Sequence, residues 1–175
     1  MLKRIKTVLL VMALWMSASV AWAEHPAQEL VEQAIGQMVA FLDENKDAVK
    51  KDPALLDAKV NELFVKHIDF DTMTKLTVGK HWKKATAEQR TDLVVEFQNM
   101  LLGTYTQALT EYSGETMDFE PFRPENREDR AVVRSTFNQA NGSKVPVVYK
   151  LREKNGWKIY DIVVESLSLV TSYRP

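Results

Sequence analysis

The sequence predicts an α+β domain: N-terminal helices packed on a curved four-stranded antiparallel sheet. Three observations predict it. Apolar residues recur at a helical period from Pro26 to Tyr112. After Ser113-Gly114 the period changes to two. Asn141-Gly142 and Asn155-Gly156 separate the last three alternating runs and supply the positive φ angles of tight hairpins.

The first helix opens at Pro26, with Leu30, Val31, Ile35, Met38 and Leu42 on one stripe. Asp52-Pro53 starts a second, a capping carboxylate followed by proline at the first helical position, with Leu56, Val60, Leu63 and Phe64 as its buried face. Asp69 caps a third, short helix through Phe70, Met73 and Leu76, which Gly79 stops. Thr86 and Gln89 form a capping box that launches the longest helix, about Ala87 to Tyr112. Its apolar positions are Leu93, Val94, Phe97, Leu101, Tyr105, Ala108, Leu109 and Tyr112. Gly103 inside it hints at close packing. The four strands are Thr116 to Phe122, Arg130 to Asn138, Lys144 to Arg152 and Trp157 to Val164. In the last, Tyr160, Ile162 and Val164 share one face while Trp157, Ile159 and Val163 populate the other. That pattern predicts a central strand covered on both sides.

Composition excludes several classes. The 175 residues are 45% hydrophobic and 27% charged, the balance of a globular protein rather than a disordered tail or a polytopic membrane protein. Residues 1–23 read as a secretory signal. Lys3, Arg4 and Lys6 begin it, Val8 to Val20 is its apolar stretch, and Ala21-Trp22-Ala23 is a small-x-small cleavage site. The expected domain is therefore 24–175, beginning at Glu24 and carrying a formal net charge of −4. Nucleic acid is not an expected partner, because clustered cations are needed to neutralise phosphates. There are no cysteines, which excludes disulfides, thiolate metal sites and cysteine nucleophiles and fits a periplasm.

Few residues suggest catalysis. His67 and His81 match no standard metal-ligand spacing, and His25 lies beside the expected N-terminus. His67 with Asp69 and Asp71 is either an acid/base or metal cluster, or a helix cap beside a surface histidine. Asp161, in an otherwise apolar strand, is either a general base or a structural acid paired with an arginine or accepting backbone N–H bonds. The long helix and last strand present more large side chains than one helix–sheet seam requires, as core or as the lining of an apolar cavity.

The run Leu76-Thr-Val-Gly-Lys-His-Trp82, then Ala85-Thr-Ala-Glu-Gln-Arg90, Phe97, Leu101, Tyr105, Ala108-Leu109 and Tyr112, resembles the MlaC family, also called the toluene-tolerance family. Val147-Val-Tyr149, Trp157-Lys-Ile-Tyr-Asp161 and Ser168-Leu-Val170 continue the match in order. The resemblance implies a periplasmic phospholipid carrier that holds acyl chains between helices and sheet, with the headgroup near the mouth. It implies exchange with an outer-membrane lipoprotein complex and an inner-membrane ABC-type lipid transporter complex, keeping the outer membrane asymmetric. No catalysis, metal or cofactor is implied beyond bound phospholipid as cargo. Together with the helical and alternating spacing it points to Leu76, Val94, Phe97, Leu101, Tyr105, Leu109, Val133, Val147, Tyr149 and Ile162 as the lipid wall. The rival reading is an isomerase or hydratase using Asp161 or His67. Two departures stand out. Ser166 occupies a position where the family usually has glycine, and the family usually continues past Tyr173-Arg174 into a C-terminal helix that is expected to be missing here.

Overall fold

The computed structural model describes residues 24–175, so the signal segment and its cleavage after Ala23 lie outside the described residues. The helices are α1 (Pro26–Lys51), α2 (Ala54–Leu63), α3 (Phe70–Val78), α4 (Ala87–Leu109) and the short α5 (Leu169–Ser172). Single 3₁₀ turns at Val65–His67 and Gly79–Lys83 join α2 to α3 and α3 to α4. The strands are β1 (Thr116–Phe119), β2 (Arg130–Asn138), β3 (Lys144–Glu153), β4 (Trp157–Val164) and β5 (Leu167–Ser168), in sheet order β1-β2-β3-β4-β5 with every pair antiparallel. The sheet has five strands rather than four. The addition is two residues long, too short to carry a periodic signal. No helix among the described residues is long and apolar enough to cross a membrane.

Local chemistry sets the helix ends. The His25 ring accepts from the Ala27 N–H, and stacks on Phe122 at a centroid distance of 4.0 Å. The Asp52 carboxylate accepts from the Ala54 N–H, although Pro53 takes the cap position itself rather than the first turn. Asp69 accepts from the Thr72 N–H, and α3 ends at Gly79 with φ of 59°. The Thr86–Gln89 capping box is formed in both directions. Asn155 and Gly156 both adopt positive φ in the β3–β4 turn. In the β2–β3 turn only Gly142 does, because that loop is longer.

α1 lies across one face of the sheet. Its Ala27, Val31 and Ile35 pack on Ala131, Val133, Val147, Tyr149, Leu151 and Ile159. Opposed residues of an antiparallel pair share a face. Leu151 pairs with Ile159 and Tyr149 with Ile162, so β4 advances three residues where β3 advances two. This bulge puts Ile159, Ile162 and Val164 on the same face, against the alternation expected of an unbroken strand. β4 is also next to the edge rather than central. A second cluster joins Met38, Leu42 and Val49 of α1 to Leu56, Val60 and Leu63 of α2 and to Tyr112. A third joins Phe70 and Met73 to Leu101, Leu169 and Val170.

Candidate functional site

α4 is 23 residues long and amphipathic, yet only Leu101 and Thr106 are buried in it. Val94, Phe97, Leu102 and Leu109 are half-buried, and Leu93, Val95, Met100 and Tyr105 are exposed. A helix seated fully on a core would bury its whole apolar stripe. α4 does not because its backbone packs against α2 and α3 rather than on the sheet. It is held near its ends and at one middle point. At the start, the Arg90 Nε donates to the Trp82 carbonyl at 3.0 Å. Beyond the far end, the Tyr112 hydroxyl donates to Asp43 of α1 at 2.7 Å, with burial and that carboxylate pushing its pKa up to about 12. In the middle Leu101 meets Phe70, Met73, Leu169 and Val170.

Clefts open where α4 stands off. One of about 460 Å³ lies between Ala108, Leu109 and Tyr112 on one side and Phe137 and Gln139 of the sheet's far end on the other. Another, of about 550 Å³, separates Gly103, Thr106 and Thr110 from Val49 and Asp57. Both fall within the range of ligand pockets. Gly103 therefore borders open space rather than a tight crossing; a Cβ added there meets nothing within 4 Å. The expectation of close packing is corrected.

The structure gathers most of the sequence-selected wall residues. Val94, Phe97 and Leu101 join Ile162 in the α3–α4 cluster. Val147 and Tyr149 share the sheet face with Ile162, which links the two groups, but they are buried with Val133 in the cluster that α1 covers, and of the wall residues Leu109 alone lines the clefts described above. Burial pushes the Tyr149 hydroxyl up to about 12. Leu109 sits with the Met38–Leu42 cluster. Val133 is fully buried under α1 and belongs to the closed core. Leu76 falls outside the group. The inward face of α3 is Phe70, Met73, Thr74 and Thr77, which turns Leu76 away and leaves it 38% exposed. Tyr105 is 41% exposed, and partial desolvation together with the Tyr173 hydroxyl pushes its pKa up to about 12. Leu169 and Val170 cover Leu101 and lie outside the wall that the sequence predicts, although both belong to the Ser168-Leu-Val170 motif. The signal available for them was the unbroken apolar pair after Ser168.

Two of the candidate catalytic residues, Asp69 and Asp161, have structural partners. Asp69 is buried, with Arg152 at 2.8 Å, Lys154 at 3.5 Å and the Thr72 hydroxyl at 2.8 Å. Burial acts to raise its pKa, but the Thr72 hydrogen bonds and the two cations outweigh this and hold the carboxyl below its ordinary value. Asp161 accepts from Lys150 at 3.1 Å, from the Ser168 hydroxyl and from the Val170 N–H, so its cation is a lysine rather than an arginine. His67 lies in the 3₁₀ turn after α2, with burial as the main cause lowering its pKa. No group of three metal-ligating side chains occurs among the described residues.

Fold and clefts define a helix-on-sheet domain whose long helix offers a partly uncovered apolar face. The family model described as "MlaC protein" matches residues 32–175, and the chain belongs to the MlaC family. It is 26% identical over 174 residues to the intermembrane phospholipid transport system binding protein MlaC of Haemophilus influenzae, covering 97% of this chain and 81% of that protein. It is 26% identical over 154 residues to the toluene tolerance protein ttg2D of Pseudomonas putida, covering 87% and 71%. The phospholipid-binding protein of Ralstonia solanacearum, solved in complex with a phospholipid, superposes with a TM-score of 0.76 at 31% identity, over 85% of this chain and 83% of that one.

Proposed function

We propose that this chain is a periplasmic phospholipid carrier. It receives and delivers lipid between an outer-membrane lipoprotein complex and an inner-membrane ABC-type transporter, and so helps keep the outer membrane asymmetric. The observation that carries the reading is the under-buried apolar face of α4, which borders clefts of ligand size and meets the sheet's apolar residues through Ile162. The kinship with a protein solved with phospholipid bound supports it.

The physical demand is large. Each methylene taken from bilayer to water costs about 0.8 kcal/mol, so two chains of roughly sixteen carbons cost on the order of 25 kcal/mol. A carrier must offset nearly all of this by enclosing the chains. Val94, Phe97, Leu101, Leu109, Val147, Tyr149 and Ile162 are the wall that does so, with α4 moving outward as chains enter between it and the sheet. An enzymatic role for Asp161 is disfavoured by its use in holding Ser168 and Val170.

Lipid extracted from protein purified from the periplasm and identified by mass spectrometry tests the reading. Co-purified phospholipid is expected. Leu101→Asp places an unpaired charge in the wall and should lower the lipid content while circular dichroism reports the fold retained. A folded wild-type protein with no phospholipid overturns the proposal.

A further inference from the structure

One turn is strongly basic in an otherwise acidic domain. No Asp or Glu occurs from Thr72 to Ala87, whereas Lys75, Lys80, Lys83 and Lys84 do. Gly79 lets the chain leave α3 sharply, so that Lys75 on the helix, Lys80 and Lys83 on the following 3₁₀ turn and Lys84 at its end are all exposed. The Arg174 guanidinium folds back to donate to the Leu76 carbonyl at 3.0 Å, bringing a fifth cation to the same place. Lys75, Lys80, Lys83 and Arg174 border one cavity of about 440 Å³, with Leu76 and Trp82 between them. None of the five cations forms a salt bridge among the described residues.

We propose that this turn is a docking surface for an anionic phospholipid bilayer. Lysines meet lipid phosphates as mobile point charges, and tryptophan and tyrosine rings settle at headgroup depth. An exposed Leu76 and a half-buried Trp82 lie among the cations here, and an exposed Tyr173 precedes Arg174. The composition favours a lipid surface over an acidic protein, because lysine is depleted from protein–protein interfaces. Position agrees. The Tyr173 ring edges onto Phe97 at 6.0 Å, so the patch adjoins the apolar face of α4, and on the carrier reading docking would hold that face near the membrane whose complexes exchange the lipid.

Co-sedimentation with phosphatidylethanolamine vesicles, with and without phosphatidylglycerol, tests the proposal on protein recovered from the periplasm. Wild-type protein should bind the phosphatidylglycerol vesicles and be released as salt rises. A cation near an anionic surface contributes about fivefold, so K80Q/K83Q/K84Q should bind roughly a hundredfold more weakly. Its co-purified lipid should stay at the wild-type level, which separates docking from carriage. K46Q/K50Q/K51Q, at the end of α1, should bind as wild type. Equal binding by both triple variants overturns the proposal. So does wild-type protein indifferent to phosphatidylglycerol, a result that hands the patch to an acidic protein surface.

Discussion

Replacing Ser166 by glycine should stabilise the protein. Ser166 has φ of 71° and Glu165, just before it, φ of 49°, so two consecutive side-chain-bearing residues occupy the left-handed region between β4 and β5. That conformation costs an L-residue about 1–2 kcal/mol through the clash of Cβ with the carbonyl oxygen. Ser166 is exposed, so nothing packed is lost with its side chain. Against the gain stands the greater freedom of glycine in the unfolded chain, about 0.4–1 kcal/mol. The net is about 0.5–1 kcal/mol in favour of Ser166→Gly, or a rise of roughly 1–4 °C in Tm for a domain this size. Gly79→Ala is the mirror experiment. Its φ of 59° and ψ of −125° suit only glycine, and a Cβ there meets nothing within 4 Å, so the expected loss is backbone strain alone, about 1–3 kcal/mol. Thermal melts followed by circular dichroism, with urea midpoints beside them, measure both. A Tm for Ser166→Gly equal to or below wild type would refute the strain argument.

Asp69→Asn should cost about 2 kcal/mol, below the roughly 3–5 of a fully buried pair because Arg152 and Lys154 keep partial solvent. Asp69 is depressed in the fold, so its stabilisation is complete above the ordinary value of 3.8 and is lost as pH falls through the lower folded value. The wild-type advantage over Asp69→Asn in melts should therefore shrink below about pH 4; a constant gap across that range would contradict the assignment. Leu151→Ala removes a side chain with no exposure in the α1–sheet core and should cost about 2–5 kcal/mol, read from urea midpoints.

What the sequence discloses here is what short-range chemistry decides. The Thr86–Gln89 box, the Asp69 cap with its Gly79 stop, and the Asn155-Gly156 turn each need only a few neighbouring residues, and each is in place. The departure at Ser166, where the family resemblance points to glycine, has a physical meaning in the same terms, the positive φ found there. The bulge in β4 is different. It depends on how β3 and β4 register across the sheet, and Trp157 to Val164 contains no glycine or proline to mark it. The stand-off of α4 is equally invisible to periodicity. Phe97, Leu101 and Leu109 recur at the same spacing whether a helix is seated on a core or borders a cleft.

The bulge and the α3–α4 cluster are connected through Asp161. The extra residue in β4 allows Ile159 and Ile162 to face α1 together while Asp161 pairs with Lys150 across the strands. Its two oxygens then accept from the Ser168 hydroxyl and the Val170 N–H. That ties down the segment whose Leu169 and Val170 cover Leu101, Phe70 and Met73. The chain reaches those partners only by passing through Glu165 and Ser166, so the left-handed strain there and the buried carboxylate oppose each other over the same short span. The carboxylate's hydrogen bonds, charge-assisted and shielded from water, are the stronger term at about 1.5–3 kcal/mol each. The floor of the α3–α4 cluster is thus held by polar bonds at its edge rather than by packing alone.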